Sequence, residues 1–221
     1  MKKKKYNYSA VLILTVISFI LTFALSSIFK NSILSYLLSI VVSFGFQFAI
    51  TASLLYSPNA SLGEYFNKFN LIDVKSVIIG VLTFVIQFLV LVLSVYILSI
   101  FYKSYSLEIL IIPFIILLVL NILVYILFFY QLFYVIDNRN KNLSIFKLFV
   151  NATEIGASLF GKTLLQLLKY LIGLLFIPFV NKYTFFIGLA LMFIYIIAIT
   201  PVVLSRCSFA YKEYTNFEDN K

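Results

Sequence analysis

The sequence predicts an all-α membrane protein: a polytopic bundle of about six transmembrane helices with two interfacial helices on the cytoplasmic face. Three observations lead to this prediction. Of the 221 residues, 63% are hydrophobic and only 11% are charged, whereas a soluble domain is about half apolar and a quarter charged. The apolar residues form continuous runs of membrane-spanning length. Two polar–apolar segments, NASLGEYF (59–66) and NLSIFKLF (142–149), interrupt those runs.

Six apolar runs are long enough for transmembrane helices, which need roughly 20 residues each. They cover residues 9–29, 33–56, 76–101, 109–136, 163–180 and 184–204. The fifth run is the shortest and contains Lys169. Because the runs do not alternate in segments of about ten residues, a transmembrane barrel is not expected. We therefore expect residues 1–221 to form a single transmembrane domain.

The first run also has features of a secretory signal peptide. MKKKK precedes the apolar stretch, and ALSS (24–27) supplies the small residues of a cleavage site. Two features favour a retained helix instead, since the run is long and the second span follows it almost at once.

Basic residues concentrate on one side of the predicted membrane. With six spans, thirteen of the 17 Lys and Arg fall on the side that holds both termini and three fall on the other. Cytoplasmic loops collect Lys and Arg, so both termini are expected in the cytoplasm. The abundance of Lys, Asn, Ile, Phe and Tyr is typical of AT-rich bacterial genomes. The net charge of +9 is then explained by topology and by anionic membrane lipids, and not by nucleic acid.

The two interrupting segments predict short helices on the cytoplasmic surface. Ser61 and Ser144 suit the N-cap position, where a hydroxyl accepts from an unpaired backbone N–H. Glu64 stands three residues after Ser61, as in a capping box. A short helix with one apolar face beside a membrane lies in the interface. We expect interfacial helices over about 61–69 and 143–155.

The apolar faces of these helices are predicted from helical spacing. The residues that share a face are Leu62, Tyr65 and Phe66 in the first helix, and Ile145, Phe146 and Phe149 in the second. The similarity of the two segments also fits an internal repeat of span, interfacial helix and span. The alternative is that any chain re-entering the membrane selects capping residues and interfacial aromatic residues.

A polar stripe runs from the second interfacial segment into the fifth span. Its members recur every three or four residues and share one helical face: Ser144, Lys147, Asn151, Glu154, Ser158, Lys162, Gln166 and Lys169. Gly156 and Gly161 predict a bend or break, because glycine weakens a helix interior.

The inner end of the stripe has two interpretations. Lys162, Gln166 and Lys169 can line a polar path, since ionisable groups within spans are costly and often functional. Alternatively, the flexible Lys169 side chain reaches back to the cytoplasmic headgroups. The second interpretation is the more ordinary one.

The sequence offers no set of residues for catalysis. It contains no histidine and one cysteine, and none of its eight acids lies well inside a predicted span. It also lacks a glycine-rich phosphate loop. A hydrolase needs a positioned nucleophile, base or metal site, so we predict a protein that is not an enzyme and has neither a metal site nor a cofactor.

The second half of the chain contains a loose pattern of residues that is found in a known family: Tyr130, Tyr134, Asp137, Ser144, Gly161, Lys162, Pro201, Tyr211 and Glu213. In this pattern it resembles a family of uncharacterised bacterial integral membrane proteins, a domain of unknown function. That family is similar in layout to the membrane domain fused to some glycerophosphodiester phosphodiesterases. The chain departs from the family pattern at Asn140, Lys147, Leu148 and Ala210. The resemblance implies a multi-span helical fold in a bacterial plasma membrane and implies no activity.

These patterns lead to two functional hypotheses. The first is a non-enzymatic accessory or scaffold component of an export or immunity system for a peptide or lipid, acting with a membrane-protein partner or as a homo-oligomer. The second is a small transporter or channel with a polar path near Lys169.

Overall fold

A computed structural model describes residues 6–29, 32–104, 107–173 and 182–218, and the described residues contain no strand. The helices are α1 (Tyr8–Ile28), α2 (Ile33–Tyr56), α3 (Leu62–Asn67), α4 (Val74–Ser104), α5 (Leu107–Phe128), α6 (Gln131–Asp137), α7 (Ile145–Ser158), α8 (Phe160–Leu171) and α9 (Lys182–Glu218). A 3₁₀ turn over Lys68–Leu71 follows α3. The predicted all-α class is therefore confirmed.

Five stretches of these helices are long and apolar enough to cross a membrane, which indicates a multi-pass membrane protein. They are Tyr8–Ile28, Ile33–Tyr56, Val74–Tyr102, Ile111–Asp137 and Thr184–Asn216. Each overlaps one of the predicted spans. Thr184–Asn216 continues beyond the predicted end at residue 204, and the fourth span is divided between α5 and α6. The predicted span 163–180 differs, because α8 describes only its first part and residues 174–180 lie outside the described residues. With 12 residues, α8 is about 18 Å long, which is short of a hydrocarbon core of about 30 Å.

Side-chain caps fix where several helices begin. The Asn7 side-chain oxygen accepts from the backbone N–H of Ala10 at 3.0 Å, at the start of α1. Ser32 caps α2 in the same way through Ser35. The Asp73 carboxylate accepts from the Ser76 N–H at 2.8 Å, at the start of α4. Each cap satisfies a backbone donor that has no partner within the helix.

The chain divides into two compact units, one formed by Met1–Ile72 with Gly161–Lys221 and the other by Asp73–Phe160. We call them the terminal unit and the central unit. The predicted span–helix–span repeat does not follow this division, since its first copy would cross from one unit to the other at Asp73. The single domain expected over residues 1–221 stays a prediction.

The core of the terminal unit lies where α1, α2 and α3 meet. Its buried side chains are Ala10, Val11, Leu14, Phe46, Ile50, Leu54 and Tyr65. Tyr65 is fully buried and its hydroxyl donates to the Pro58 carbonyl at 3.0 Å. The same carbonyl accepts from the Asn7 N–H at 2.7 Å, and the Asn7 amide donates to the Ala60 carbonyl at 2.8 Å. The segment before α1 is thus fastened to the loop before α3.

Burial raises the pKa of Tyr65 to about 12, from an ordinary value of 10.0. Because the unfolded chain loses this proton first, the folded state is penalised as the pH rises from about 10 towards 12. We expect unfolding to become easier over that window in the wild type and less so in Tyr65→Phe. Denaturation midpoints measured from pH 8 to 12 check this expectation, and identical pH profiles for the two proteins would contradict it.

The central unit packs α4, α5, α6 and α7 around a smaller core. Ile79, Val135 and Leu148 form its buried centre. Polar side chains between these helices bond to one another. Asn121 donates to the Ser94 hydroxyl at 2.8 Å, which is the bridging role expected of amides within spans.

Candidate functional site

The two short helices begin at the serines that the sequence singled out. The Ser61 hydroxyl accepts from the Glu64 N–H at 3.4 Å, at the start of α3. The Ser144 hydroxyl accepts from the Lys147 N–H at 3.3 Å, at the start of α7. The two segments are therefore similar in structure at their serine caps, as well as in sequence. The helices that follow differ in length, because α3 has 6 residues and α7 has 14.

The fourth residue after each capping serine is the one that anchors its helix. Tyr65 and Leu148 are 0% and 1% exposed. In α7 the buried face continues through Ala152 and Ile155. Phe146 is 77% exposed, so it does not pack inside the central unit, whereas Ile145 and Phe149 lie against its core. An interfacial role for the apolar face of Ile145, Phe146 and Phe149 stays a prediction. Packing within the central unit decides which side of α7 is buried, and local spacing does not reveal it.

Gly156 permits a close approach between α7 and α5. A β-carbon at this position would lie 2.1 Å from the backbone oxygen of Leu127. The predicted break in the polar stripe occurs instead at Leu159, where α7 has ended and α8 has not begun. Gly161 has open space around it.

A glutamine of α6 ties α6 to α7. Gln131 is 1% exposed, and its amide nitrogen donates to the Phe149 carbonyl at 3.1 Å and to the Thr153 hydroxyl at 2.9 Å. Asn151, a member of the polar stripe, donates to the Tyr134 hydroxyl at 3.0 Å. This half of the stripe thus contributes to internal hydrogen bonding of the central unit.

An open groove of about 330 Å³ lies against α7. Its lining residues are Phe128, Phe149, Val150, Thr153, Glu154 and Ala157. Glu154 is the one charged side chain among them, and it is exposed. The groove is mostly apolar and does not gather polar groups around a ligand-sized space.

The other half of the stripe lies on α8, whose amphipathic character is reversed relative to a helix on a soluble protein. Thr163 is buried, and Gln166 and Lys169 are partly buried. Lys162, near the start of α8, is exposed, and so are the apolar side chains Leu165 (65%), Leu168 (44%) and Leu171 (53%) of α8 and Ile172 (49%) just after it. Beyond Lys162 the polar residues therefore face inward and the leucines outward, which is the arrangement that suits a lipid environment.

Polar contacts between described residues join α8 to α9. The Lys162 ammonium pairs with the Glu213 carboxylate at 3.4 Å, and both side chains are exposed. The Tyr170 hydroxyl donates to the Thr200 hydroxyl at 3.1 Å. The Tyr195 hydroxyl donates to the backbone carbonyl of Lys169 at 3.0 Å. Since the lower-numbered end of α8 meets the higher-numbered end of α9, the two helices run antiparallel. We call the polar strip between them the α8–α9 seam.

Lys169 occupies the middle of this seam. Its ammonium donates to the Gln166 side-chain oxygen, one turn back towards Lys162. Arg206 of α9 is near enough to act on Lys169 electrostatically. In the described parts of the chain, neither cation has a carboxylate within 4 Å. Among the described residues, the seam therefore holds two positive charges that interact with each other and that no carboxylate pairs with directly.

The two interpretations of Lys169 are not exclusive in this geometry. The side chain bends towards the end of α8 that carries Lys162, as expected for a lysine that reaches back to headgroups. It does so along the side of α8 that contacts α9 rather than along the exposed leucines. The three predicted residues Lys162, Gln166 and Lys169 thus share one face of α8, and Ser61 and Ser144 belong to separate helix caps.

Sequence reasoning missed the α9 residues of the seam. Tyr195, Thr200 and Arg206 lie in or just beyond the last apolar run. Their spacing along the chain gives no signal of a common site, because α8 and not α9 carries the regular polar stripe. The pairing of two helices brings them together. Among the described residues, no three His, Cys, Asp or Glu side chains form a cluster that could hold a metal ion.

No protein-family model, curated protein or solved structure matches the chain. The resemblance to uncharacterised bacterial membrane proteins stays a prediction.

Proposed function

We propose that the protein is a six-span bacterial plasma-membrane protein, with both termini in the cytoplasm, that acts as a non-enzymatic accessory or scaffold component of an export or immunity system for a peptide or lipid. The fifth of the six crossings begins in α8, and α3 and α7 lie in the cytoplasmic interface. Its partner is another membrane protein or a second copy of the chain, on a surface rich in anionic lipid, and not nucleic acid.

The observation that carries the proposal is that polar side chains of the helices form hydrogen bonds to neighbouring helices. Gln131, Asn151 and Asn121 bond to neighbouring helices. The Lys212 ammonium donates to the Leu54 carbonyl at 3.1 Å, close to the end of α2. These contacts hold helices in place rather than surround a substrate, as is typical of a scaffold. The burial of Ala10, Val11 and Leu14 in the core supports a retained first helix.

Site-specific photo-crosslinking in the native host tests the accessory role. The α4 face that includes Leu89 is exposed (59%), whereas Ile79 on the same helix is buried. We expect a crosslinker at Leu89 to give one discrete protein adduct of constant size, because a scaffold presents a defined surface to its partner. A crosslinker at Ile79 serves as the control. Adducts with lipid alone at Leu89 and at every other exposed α4 position would contradict the proposal.

Transport is the second candidate, favoured by the inward-facing polar side of α8. A transporter that uses the seam would move an anionic solute past Lys169, because the described seam has an excess of positive charge. The accessory role predicts no such movement.

Efflux of carboxyfluorescein from reconstituted vesicles separates the two candidates. The accessory role predicts efflux equal to that of empty vesicles for both wild type and Lys169→Leu. Efflux from the wild type that falls at least about tenfold in Lys169→Leu, with equal insertion, would instead support transport. Lys147→Leu, which removes an exposed lysine of α7, is the matched control.

A further inference from the structure

The register of α8 against α9 in the seam brings the cations Lys169 and Arg206 to a similar level along the helix axes. The Tyr170–Thr200 and Lys162–Glu213 contacts mark its two ends. Gln166 lies midway between these ends on α8, and Arg206 lies midway between them on α9. Because Lys169 donates to Gln166, its ammonium is held near the level of Arg206.

The charge pair of Lys169 and Arg206 has different surroundings at its end and along its side. At one end, the nearest described acid of α9, Glu213, is already paired with Lys162. Beside the charges, the exposed Leu165, Leu168 and Leu171 of α8 present an apolar surface. A ligand that satisfies both features carries an anionic head and an apolar chain. Basic pockets between helices at the cytoplasmic side of a membrane recognise such headgroups.

We propose that Lys169 and Arg206 form a binding site for the phosphate of an anionic membrane lipid, whose acyl chain lies along the exposed leucines of α8. The phosphate accepts hydrogen bonds from the lysine ammonium and from the arginine guanidinium, which matches phosphate oxygens with two donors. The Gln166 amide holds the ammonium in position. This site goes beyond general attraction of a basic protein to an anionic surface, because it requires two particular side chains.

The inference rests on the proposed membrane placement of α8 and α9. Failure of that placement and failure of the site are distinguishable. A protein that is not in the membrane would be released from anionic vesicles by high salt, because only surface charge would hold it there. A membrane protein without the site would bind phosphatidylglycerol and phosphatidylcholine equally well.

Native mass spectrometry of the full chain in detergent, titrated with phosphatidylglycerol, tests the site. Each charge near a membrane surface contributes a factor of about five to the affinity for anionic lipid. We therefore expect Lys169→Gln with Arg206→Gln to lower the affinity on the order of 20-fold. Lys169→Arg with Arg206→Lys keeps both charges and retains most of the affinity.

The matched control removes two positive charges elsewhere. Lys141 and Lys147 are exposed. Because a neutral detergent micelle supplies no anionic surface, their change to glutamine should lower the affinity much less than the seam variants do if the site is local. Equal losses in the two double variants would overturn the proposal, because they would reflect net charge alone. Equal binding of phosphatidylcholine would also overturn it. Saturation of the site by inorganic phosphate, with no further gain from the lipid, would contradict the lipid assignment.

Discussion

Gly156→Ala is expected to destabilise the central unit by about 3 kcal/mol, at the upper end of what overpacking costs. The added methyl group would lie 2.1 Å from the Leu127 oxygen, a backbone atom that cannot rotate away. Helix α7 would have to move off α5, and the Gln131 bonds to Phe149 and Thr153 would lengthen with it. Thermal unfolding of the detergent-solubilised protein, followed by size-exclusion chromatography, measures the loss.

Gly161→Ala provides the matched control. No atom outside the local helix lies within 4 Å of a β-carbon at that position, and alanine is the better helix former by about 1 kcal/mol. We expect unchanged or slightly higher stability. Equal melting temperatures for Gly156→Ala and the wild type would show that α7 and α5 do not approach each other as described.

Tyr65→Ala is expected to cost about 4 kcal/mol in the terminal unit. The ring is fully buried in the core that joins α1, α2 and α3, and its removal leaves a cavity that these helices cannot easily fill. Denaturation in mixed micelles, monitored by circular dichroism, measures the change in unfolding free energy.

Two controls separate the ring from its hydroxyl and from its exposed neighbour. Tyr65→Phe should cost only about 1 kcal/mol, because the Pro58 carbonyl still accepts from the Asn7 N–H. Phe66→Ala should cost less than Tyr65→Ala, since Phe66 is 39% exposed. A loss from Phe66→Ala as large as that from Tyr65→Ala would contradict the assignment of Tyr65 as the anchor.

The long helices and the helix caps could be predicted from the sequence because their causes are local. A continuous apolar run defines a span whatever surrounds it, as Tyr8–Ile28 and Ile33–Tyr56 show. A serine before a helix accepts from a backbone donor three residues on, as Ser61 and Ser144 do. These features depend on neighbours within a few positions.

The features that could not be predicted from the sequence depend on contacts between segments that are distant along the chain. Gly156 was expected to bend a helix, but its structural role is the approach to Leu127, which no local pattern encodes. The burial of Leu148 in the central unit was not predicted, because it depends on which side of α7 the neighbouring helices cover. Lys169 was singled out from α8 alone, while Arg206 is 37 positions away in the chain and reaches the seam only because α9 packs beside α8.

The central claim is that the chain crosses the bilayer six times, with α7 on the cytoplasmic side. Labelling of engineered cysteines on intact cells by a membrane-impermeant maleimide tests this claim most directly. Cys207, the single native cysteine, is buried, so the wild type gives a low background. We predict labelling of Lys103→Cys on intact cells, and labelling of Asn142→Cys and Lys221→Cys only after permeabilisation. Labelling of Asn142→Cys on intact cells, or equal labelling of all three positions, would contradict this topology.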